Sequence, residues 1–310
     1  MNVMMRKIVF LLSILAMNMS YTACAQSFEH LWATGSAVPD GQTIELTKRP
    51  DGQFRFVGTL ISGELKIMTT ETFKSGTTQF LKPQLIDSYL INKGITYQLT
   101  KDETQPGWVV SFQEDAYCFL VDPSNRVVTG ELLFPWNEVL IAGSAFEGGS
   151  NDYEWSRDAM LSFEQDRDNP YVFSWTGVLG VYDNVIEPGR FKLEGQMTWG
   201  PREFHPFQQD EDILLSTQMR KGGPDTKWRV TKHGVYRIVI DIFHETFHAE
   251  YLSKTRSIGD GTTDIEQIDE ADDTAPSLIY DLHGQARRSL KKGFNLVRMP
   301  DGRVRKMIVK

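Results

Sequence analysis

The sequence predicts an all-β protein made of two tandem β-sandwich modules and a short β tail. Three observations predict it. Four blocks of sequence occur twice in the same order, about 110 to 120 residues apart, which is the spacing of a domain duplication and not of a solenoid repeat. Within these blocks apolar residues alternate with polar ones at the period of a strand. After residue 25 there is no long amphipathic helical pattern.

The chain begins with a leader-like segment at 1–25. Arg6 and Lys7 precede an apolar run at 8–16 that is too short to span a bilayer, and Ala23-Cys24-Ala25 follows the small-x-small rule for cleavage. Cleavage there would leave Gln26 first. The alternative is a lipidated Cys24, with Tyr21 standing where such a signal prefers Leu. Under simple cleavage Cys118 is the one remaining cysteine, so no intrachain disulfide is expected, and its alternating apolar surroundings read as a buried strand thiol.

The first module is expected over 26–134 and the second over 135–254. Leu31-Trp32-Ala33-Thr34-Gly35-Ser36-Ala37 matches the run from Val139 to Ala145, whose last three residues are Gly143-Ser144-Ala145. Phe54 to Leu60 (FRFVGTL) matches Phe173 to Leu179 (FSWTGVL), and Gly63 to Ile67 (GELKI) matches Gly189 to Leu193 (GRFKL). Trp108 followed by Ala116 to Asp122 matches Trp228 followed by Val235 to Asp241. Turn signals separate the strands: Pro50-Asp51-Gly52, Asp168-Asn169-Pro170, Glu187-Pro188-Gly189 and Gly222-Gly223-Pro224. Trp32, Trp108, Trp175 and Trp228 lie inside repeated or alternating blocks and are expected in the cores.

Residues 255–277 read as an acidic flexible linker. Residues 278–310 turn basic and show strand patterns at 278–282, 293–297 and 304–309, broken at His283-Gly284 and Pro300-Asp301-Gly302.

The chain is 40% hydrophobic and 24% charged with a net charge of −8, which suits a folded protein and argues against nucleic acid as a partner, since phosphate binding needs a basic surface. An acidic surface containing aromatic rings suits a neutral ligand such as a glycan. No nucleophile elbow, phosphate loop or Cys-His constellation appears, and no cofactor is expected.

The repeated Gly-Ser-Ala, FSWTGVL, GRFKL and VYRIVIDI blocks together resemble the outer-membrane starch-binding SusE/SusF family of Bacteroidetes over residues 29–253. The resemblance implies immunoglobulin-like or carbohydrate-binding-module-like sandwiches that hold malto-oligosaccharides on the cell surface without cleaving them. It also implies an oligosaccharide or polysaccharide as partner, within an outer-membrane glycan-uptake complex. The tail, with IYDLHGQ, KGFNLV and RVRKMIVK, resembles sorting segments read by the type IX secretion system, departing at Asn295 where that group usually has Tyr.

A pyranose packs its C–H face on an aromatic ring and needs fixed polar groups for its hydroxyls. Trp199, in a Gly-Pro loop beyond the strand carrying Lys192, is the first candidate platform, with Lys192 as donor. The same offset of seven from Lys66 reaches Phe73 in the first copy. Trp155 is a candidate second wall and Arg202 an extra donor. For each, an ordinary structural role is the competing reading: a ring capping the core, or a lysine on an outward strand face.

His244-Glu245-Thr246-Phe247-His248 matches the zinc-peptidase signature H-E-x-x-H, which needs both histidines on one helical face. The repeat aligns this run with 123–129, a turn and returning strand after Asp122, so a hairpin is expected and no metal site. Three functions are thus carried forward: a non-catalytic glycan binder, a structural or adhesin-type surface protein, and a zinc peptidase.

Overall fold

The computed structural model describes residues 27–253 and, further on, the strands at 278–280, 286–287, 293–298 and 304–309; the leader at 1–25 and the linker at 255–277 lie outside the described residues. The described residues are strands and turns, with one 3-10 turn at Pro39–Gly41 as the helical element among them. Among the described residues no helix is long and apolar enough to cross a membrane.

The first sandwich holds β1 (Trp32–Thr34), β2 (Ile44–Glu45), β3 (Thr47–Lys48), β4 (Phe54–Leu60), β5 (Gly63–Met68), β6 (Phe80–Pro83), β7 (Asn92–Thr100), β8 (Trp108–Val110), β9 (Glu114–Asp122) and β10 (Val127–Leu132). The order is β2-β1-β5-β6-β7-β10-β9-β4-β3, with β8 on β5. Strand β7 joins the two layers: its Tyr97–Thr100 end pairs with β6, and its Asn92–Thr96 end with β10.

The second sandwich holds β11 (Leu140–Gly143), β12 (Leu161–Ser162), β13 (Glu164–Gln165), β14 (Val172–Leu179), β15 (Arg190–Glu194), β16 (Glu203–His205), β17 (Glu211–Asp212), β18 (Arg220–Lys221), β19 (Trp228–Arg229), β20 (Gly234–Asp241) and β21 (Thr246–Ser253). One sheet runs β12-β11-β15-β16-β18, with β19 on β15 and β17 on β19. The other runs β13-β14-β20-β21.

The duplication holds at the level of strand register. Leu65 faces Trp108 across β5 and β8, and Phe191 faces Trp228 across β15 and β19. Gly58 faces Tyr117, and Gly177 faces Tyr236. Each of these tyrosines donates its hydroxyl to a nearby carbonyl, Tyr117 to Phe112 at 2.8 Å and Tyr236 to Lys232 at 2.6 Å. The repeated Gly-Ser-Ala block is a clasp. Gly35 (φ 107) and Gly143 (φ 151) lie so close to the next strand that a Cβ would sit 2.4 Å from the Glu64 carbonyl oxygen and 2.3 Å from that of Arg190. The adjoining serines, Ser36 and Ser144, bond the same stretch of backbone.

Each sandwich has its own apolar core. One is built from residues such as Phe54, Leu65, Tyr97, Trp108 and Phe119, the other from Trp136, Phe173, Phe191, Trp228 and Phe247. Trp108 and Trp228 are fully buried, but Trp32 and Trp175 are only half-buried, which corrects their assignment to the cores. Trp175 lies folded over Gly177 on its own strand and covers the edge of the core, while Trp32 stacks on His30. The core tryptophan that strand patterning missed is Trp136, packed on Phe204.

Cys118 is buried and free, and burial pushes its thiol up to about 11, so it stays protonated and unreactive. From Leu278 onward a separate unit contains β22 (Leu278–Tyr280), β23 (Ala286–Arg287), β24 (Gly293–Arg298) and β25 (Val304–Val309), ordered β23-β22-β24-β25.

Candidate functional site

Strand β15 buries Phe191 and Leu193 in the core, so by strand alternation Lys192 and Glu194 point to the opposite face. The chain then leaves the sheet in a loop, 195–202, that carries Trp199. Trp199 is 43% exposed, and its ring centre lies 6.4 Å from that of half-buried Trp155, with the two planes at 56°. Together with Lys192, Ile186, Glu187, Asp225 and Lys227 the two indoles line an open groove of about 340 Å³. Each ring has an ammonium beside it: Lys192 Nζ lies 5.5 Å from the Trp199 centre and Lys227 Nζ 5.4 Å from that of Trp155.

The structure therefore brings Trp199, Trp155 and Lys192 into one place. Lys192 is not, however, the free donor suggested by its strand position. Its side chain is 9% exposed and sits among three carboxylates: Glu203 at 2.5 Å, Glu194 at 3.1 Å and Asp225 at 3.5 Å. Burial alone would lower the Lys192 ammonium, but the Glu203 hydrogen bond and the neighbouring charges outweigh it and hold the group above its ordinary value. Its role is to neutralise the floor of the groove. The polar groups at the groove wall are Lys227 and Asp225, paired at 3.1 Å, and Glu187, which sequence reasoning did not single out. Asp225 and Lys227 lie just before the repeated Trp228, and that proximity was the available signal. Arg202 is exposed at the end of the 195–202 loop and is not among the groove-lining residues.

Beneath Lys192, β16 contributes Glu203 and His205. His205 is buried; its Nδ1 meets the Thr226 carbonyl at 2.9 Å, so Nδ1 carries a proton, and its Nε2 lies 3.1 Å from Glu203. Glu203, His205 and Asp225 are grouped closely enough to hold a cation. The Lys192 ammonium, in contact with both Glu203 and Asp225, already supplies the positive charge there.

The first sandwich has the corresponding groove. Lys66 and Phe73 line an opening of about 430 Å³ together with Met68, Phe80, Thr34 and Glu71. Phe73 is 42% exposed and leans on Phe80, their ring centres 5.9 Å apart. Lys66 is more accessible than Lys192 and has one carboxylate partner, Glu64, at 3.4 Å. The floors differ. Register places Met68 and Phe80 of the first copy where the second has Glu194 and Glu203, and Lys82 where the second has His205. Lys82 is fully buried, gives its protons to the carbonyls of Glu103 and Gln105, and is lowered chiefly by burial.

The H-E-x-x-H run is a hairpin, as the repeat suggested. Strand β20 ends at Asp241, whose carboxylate accepts from the backbone of Phe243 and His244 and from the His244 ring. Glu245 takes the left-handed position (φ 57), matching Arg126 (φ 55) of the first copy, and His248 lies on β21 opposite Val239. One histidine in a turn and the other on an exposed strand face do not give the helical pair that zincin chemistry requires. Glu245 instead turns toward the first sandwich, 3.6 Å from Arg49 and 3.5 Å from Arg55.

No family model matches the chain, and no curated protein matches it. Among solved structures, the crystal structure of SusF from Bacteroides thetaiotaomicron is similar at 10% sequence identity and a TM-score of 0.32, over 88% of this chain and 57% of that one. The chain thus spans little more than half the length of that protein.

Proposed function

We propose that this chain is a non-catalytic glycan-binding protein of the bacterial surface, and that its two grooves hold a neutral α-glucan of the starch or malto-oligosaccharide kind. The observation that carries this reading is the Trp155–Trp199 pair. An exposed and a half-buried indole meeting at 56° form a bent platform, which suits a chain that curves from one sugar to the next better than a flat, ribbon-like β-linked glucan. Carboxylates line both grooves, Glu187 and Asp225 in one and Glu71 and Glu103 in the other, and they disfavour uronates and sulfated sugars. Glu187 and Asp225 are also engaged by Lys227, which suits hydroxyl recognition more than acid-base chemistry. Export through the 1–25 leader and the sorting-like tail at 278–310 would place the protein at the outer membrane, beside a glycan-uptake complex.

Calorimetric titration of the purified protein with maltoheptaose, cellohexaose and a uronate oligomer tests this. Maltoheptaose alone should bind. Binding of none of these would favour a structural or adhesin-type role for the same sandwiches.

A further inference from the structure

We propose that Glu194 is the positioning residue of the second groove, and that its carboxylate anchors the loop bearing Trp199 so that the groove takes its ligand in the ionised form and loosens on protonation. This rests on reading that groove as the glycan site.

The anchoring is direct. Glu194 is fully buried at the end of β15, where the Trp199 loop begins. Its Oε2 accepts from Gln196 Nε2 at 3.0 Å. The backbone N–H of Gly200, the residue after Trp199, lies near enough to favour the charged form. The same Nε2 also faces the carbonyls of Thr198 at 3.1 Å and Arg202 at 3.2 Å, so its two hydrogens are shared among the three acceptors. The loop on both sides of Trp199 thus meets the Gln196 amide, and Glu194 holds that amide in place. Glu194 Oε1 faces Lys192 Nζ at 3.1 Å, near enough for an ion pair but not aligned for a hydrogen bond, and the same ammonium stands over the Trp199 ring.

The surroundings make this carboxylate responsive. From β15 it faces Lys192. From β16 come Glu203 and His205, and from the turn before β19 comes Asp225, which reaches it through Lys192. From β11 come Leu140, directly opposite Glu194, and Ala142, opposite Lys192, so that side adds no charge. Burial, against the opposing pull of Lys192 and with Glu203 adding to the rise, holds Glu194 up at about 7. Protonation removes a charged acceptor from Gln196 and a counter-ion from Lys192, and charge-assisted hydrogen bonds are about twice as strong as neutral ones. The first groove is a built-in contrast, because Met68 and Phe80 stand in place of Glu194 and Glu203 and carry nothing that titrates.

The test uses the full chain in a Phe73→Ala background, which weakens the first groove, with maltoheptaose as probe between pH 5.5 and 8.5. Affinity should rise by roughly three- to tenfold with pH, centred near neutrality, the size expected for losing one charge-assisted anchor. Glu194→Gln should flatten that profile. Gln196→Ala, which cuts the brace without touching the charge, should weaken binding at pH 8.5 and leave little pH dependence. In parallel, the pH titration of ligand-free tryptophan emission is read as the difference between wild type and Trp199→Phe. It should show a transition near neutrality that Glu194→Gln abolishes. A transition that persists in Glu194→Gln belongs to His205 and overturns the proposal, as does the absence of any transition. If the emission changes as expected but no glycan binds at any pH, the positioning role stands and the glycan reading falls. Binding that is strong and pH-independent has the opposite meaning.

Discussion

Glu245 lies 3.6 Å from Arg49, a carboxylate of the second sandwich set against a guanidinium of the first, with both side chains almost fully buried. Arg55 joins them at 3.5 Å and donates to the Phe243 carbonyl at 2.6 Å. Removing one member of a buried ionic group strands the others, at a typical cost of about 3–5 kcal/mol. Asp51, 3.4 Å from Arg49, offsets part of that. Glu245→Ala should therefore lower stability by about 3 kcal/mol and split the calorimetric unfolding of residues 27–253 into two transitions, as the sandwiches uncouple. A single transition with an unchanged midpoint would show that the seam couples nothing.

Trp228 and Trp175 sit on strands of the same sandwich but should respond differently to truncation. Trp228 is fully buried, stacks on Phe191 and Phe247, and donates its indole N–H to Ser216 at 2.8 Å. Its replacement by Ala should cost about 3–5 kcal/mol. Trp175, half-buried over Gly177, should cost clearly less. Urea unfolding of the two variants decides it, and equal losses would mean that Trp175 is core after all.

This pair also shows what the sequence could and could not reveal. Repeat blocks and period-two alternation located β1, β4, β5, β9 and their counterparts, because those strands bury alternate residues against one core. The same alternation cannot tell a ring at the centre of a face from one at its rim, so Trp175 and Trp228 read alike. The Lys66–Phe73 and Lys192–Trp199 offsets were legible because they lie along one strand and the loop after it. Lys227 and Asp225 had only their place just before the repeated Trp228 to mark them, since that segment reaches the groove through the pairing of β19 with β15, a contact no local pattern encodes. Nor could the sequence show that Lys192 is enclosed by carboxylates drawn from three separate segments.

The ionised floor of the second groove should be visible in stability as well as in binding. Glu194 has its folded value raised to about 7 from the ordinary 4.5, so between these values the native state holds a proton that the unfolded chain has lost. Stability contributed by this group is therefore present at low pH and falls as pH rises through that window. Asp210, held below its usual value by the Arg190 hydrogen bonds, acts in the opposite sense and loses its contribution only in stronger acid. Glu194→Gln should melt with less change than wild type between pH 5 and pH 8. A wild-type profile that rises steadily across that range would contradict the assignment.

The strands from Leu278 onward hydrogen-bond among themselves in their own four-stranded sheet. Deleting residues 278–310 should leave the melting temperature of the sandwiches where it was. If the segment is a sorting signal, the deletion should also leave the protein inside the cell envelope. Surface labelling of cells expressing the two forms measures the second point, and normal display of the truncated chain would remove the sorting role.

Trp199→Ala is the sharpest test of the groove. The ring is 43% exposed and stands on a loop outside the sheet, so it contributes little to the core, and the melting temperature should barely move. As one of two platforms in the groove it should carry a large share of the binding energy, and its loss should weaken maltoheptaose binding by about 1–3 kcal/mol, the usual effect of truncating a hot-spot aromatic. Phe73→Ala should have a smaller effect. Its ring offers less face, it leans on buried Phe80, and among the described residues no counterpart of Trp155 lines that groove. Titrating both variants and their combination separates the grooves, because each substitution weakens its own site and leaves the other's affinity unchanged when the two are independent. If Trp199→Ala instead collapses the melting temperature, the ring is holding the loop and the sandwich together, and the bent platform is a structural feature with no ligand.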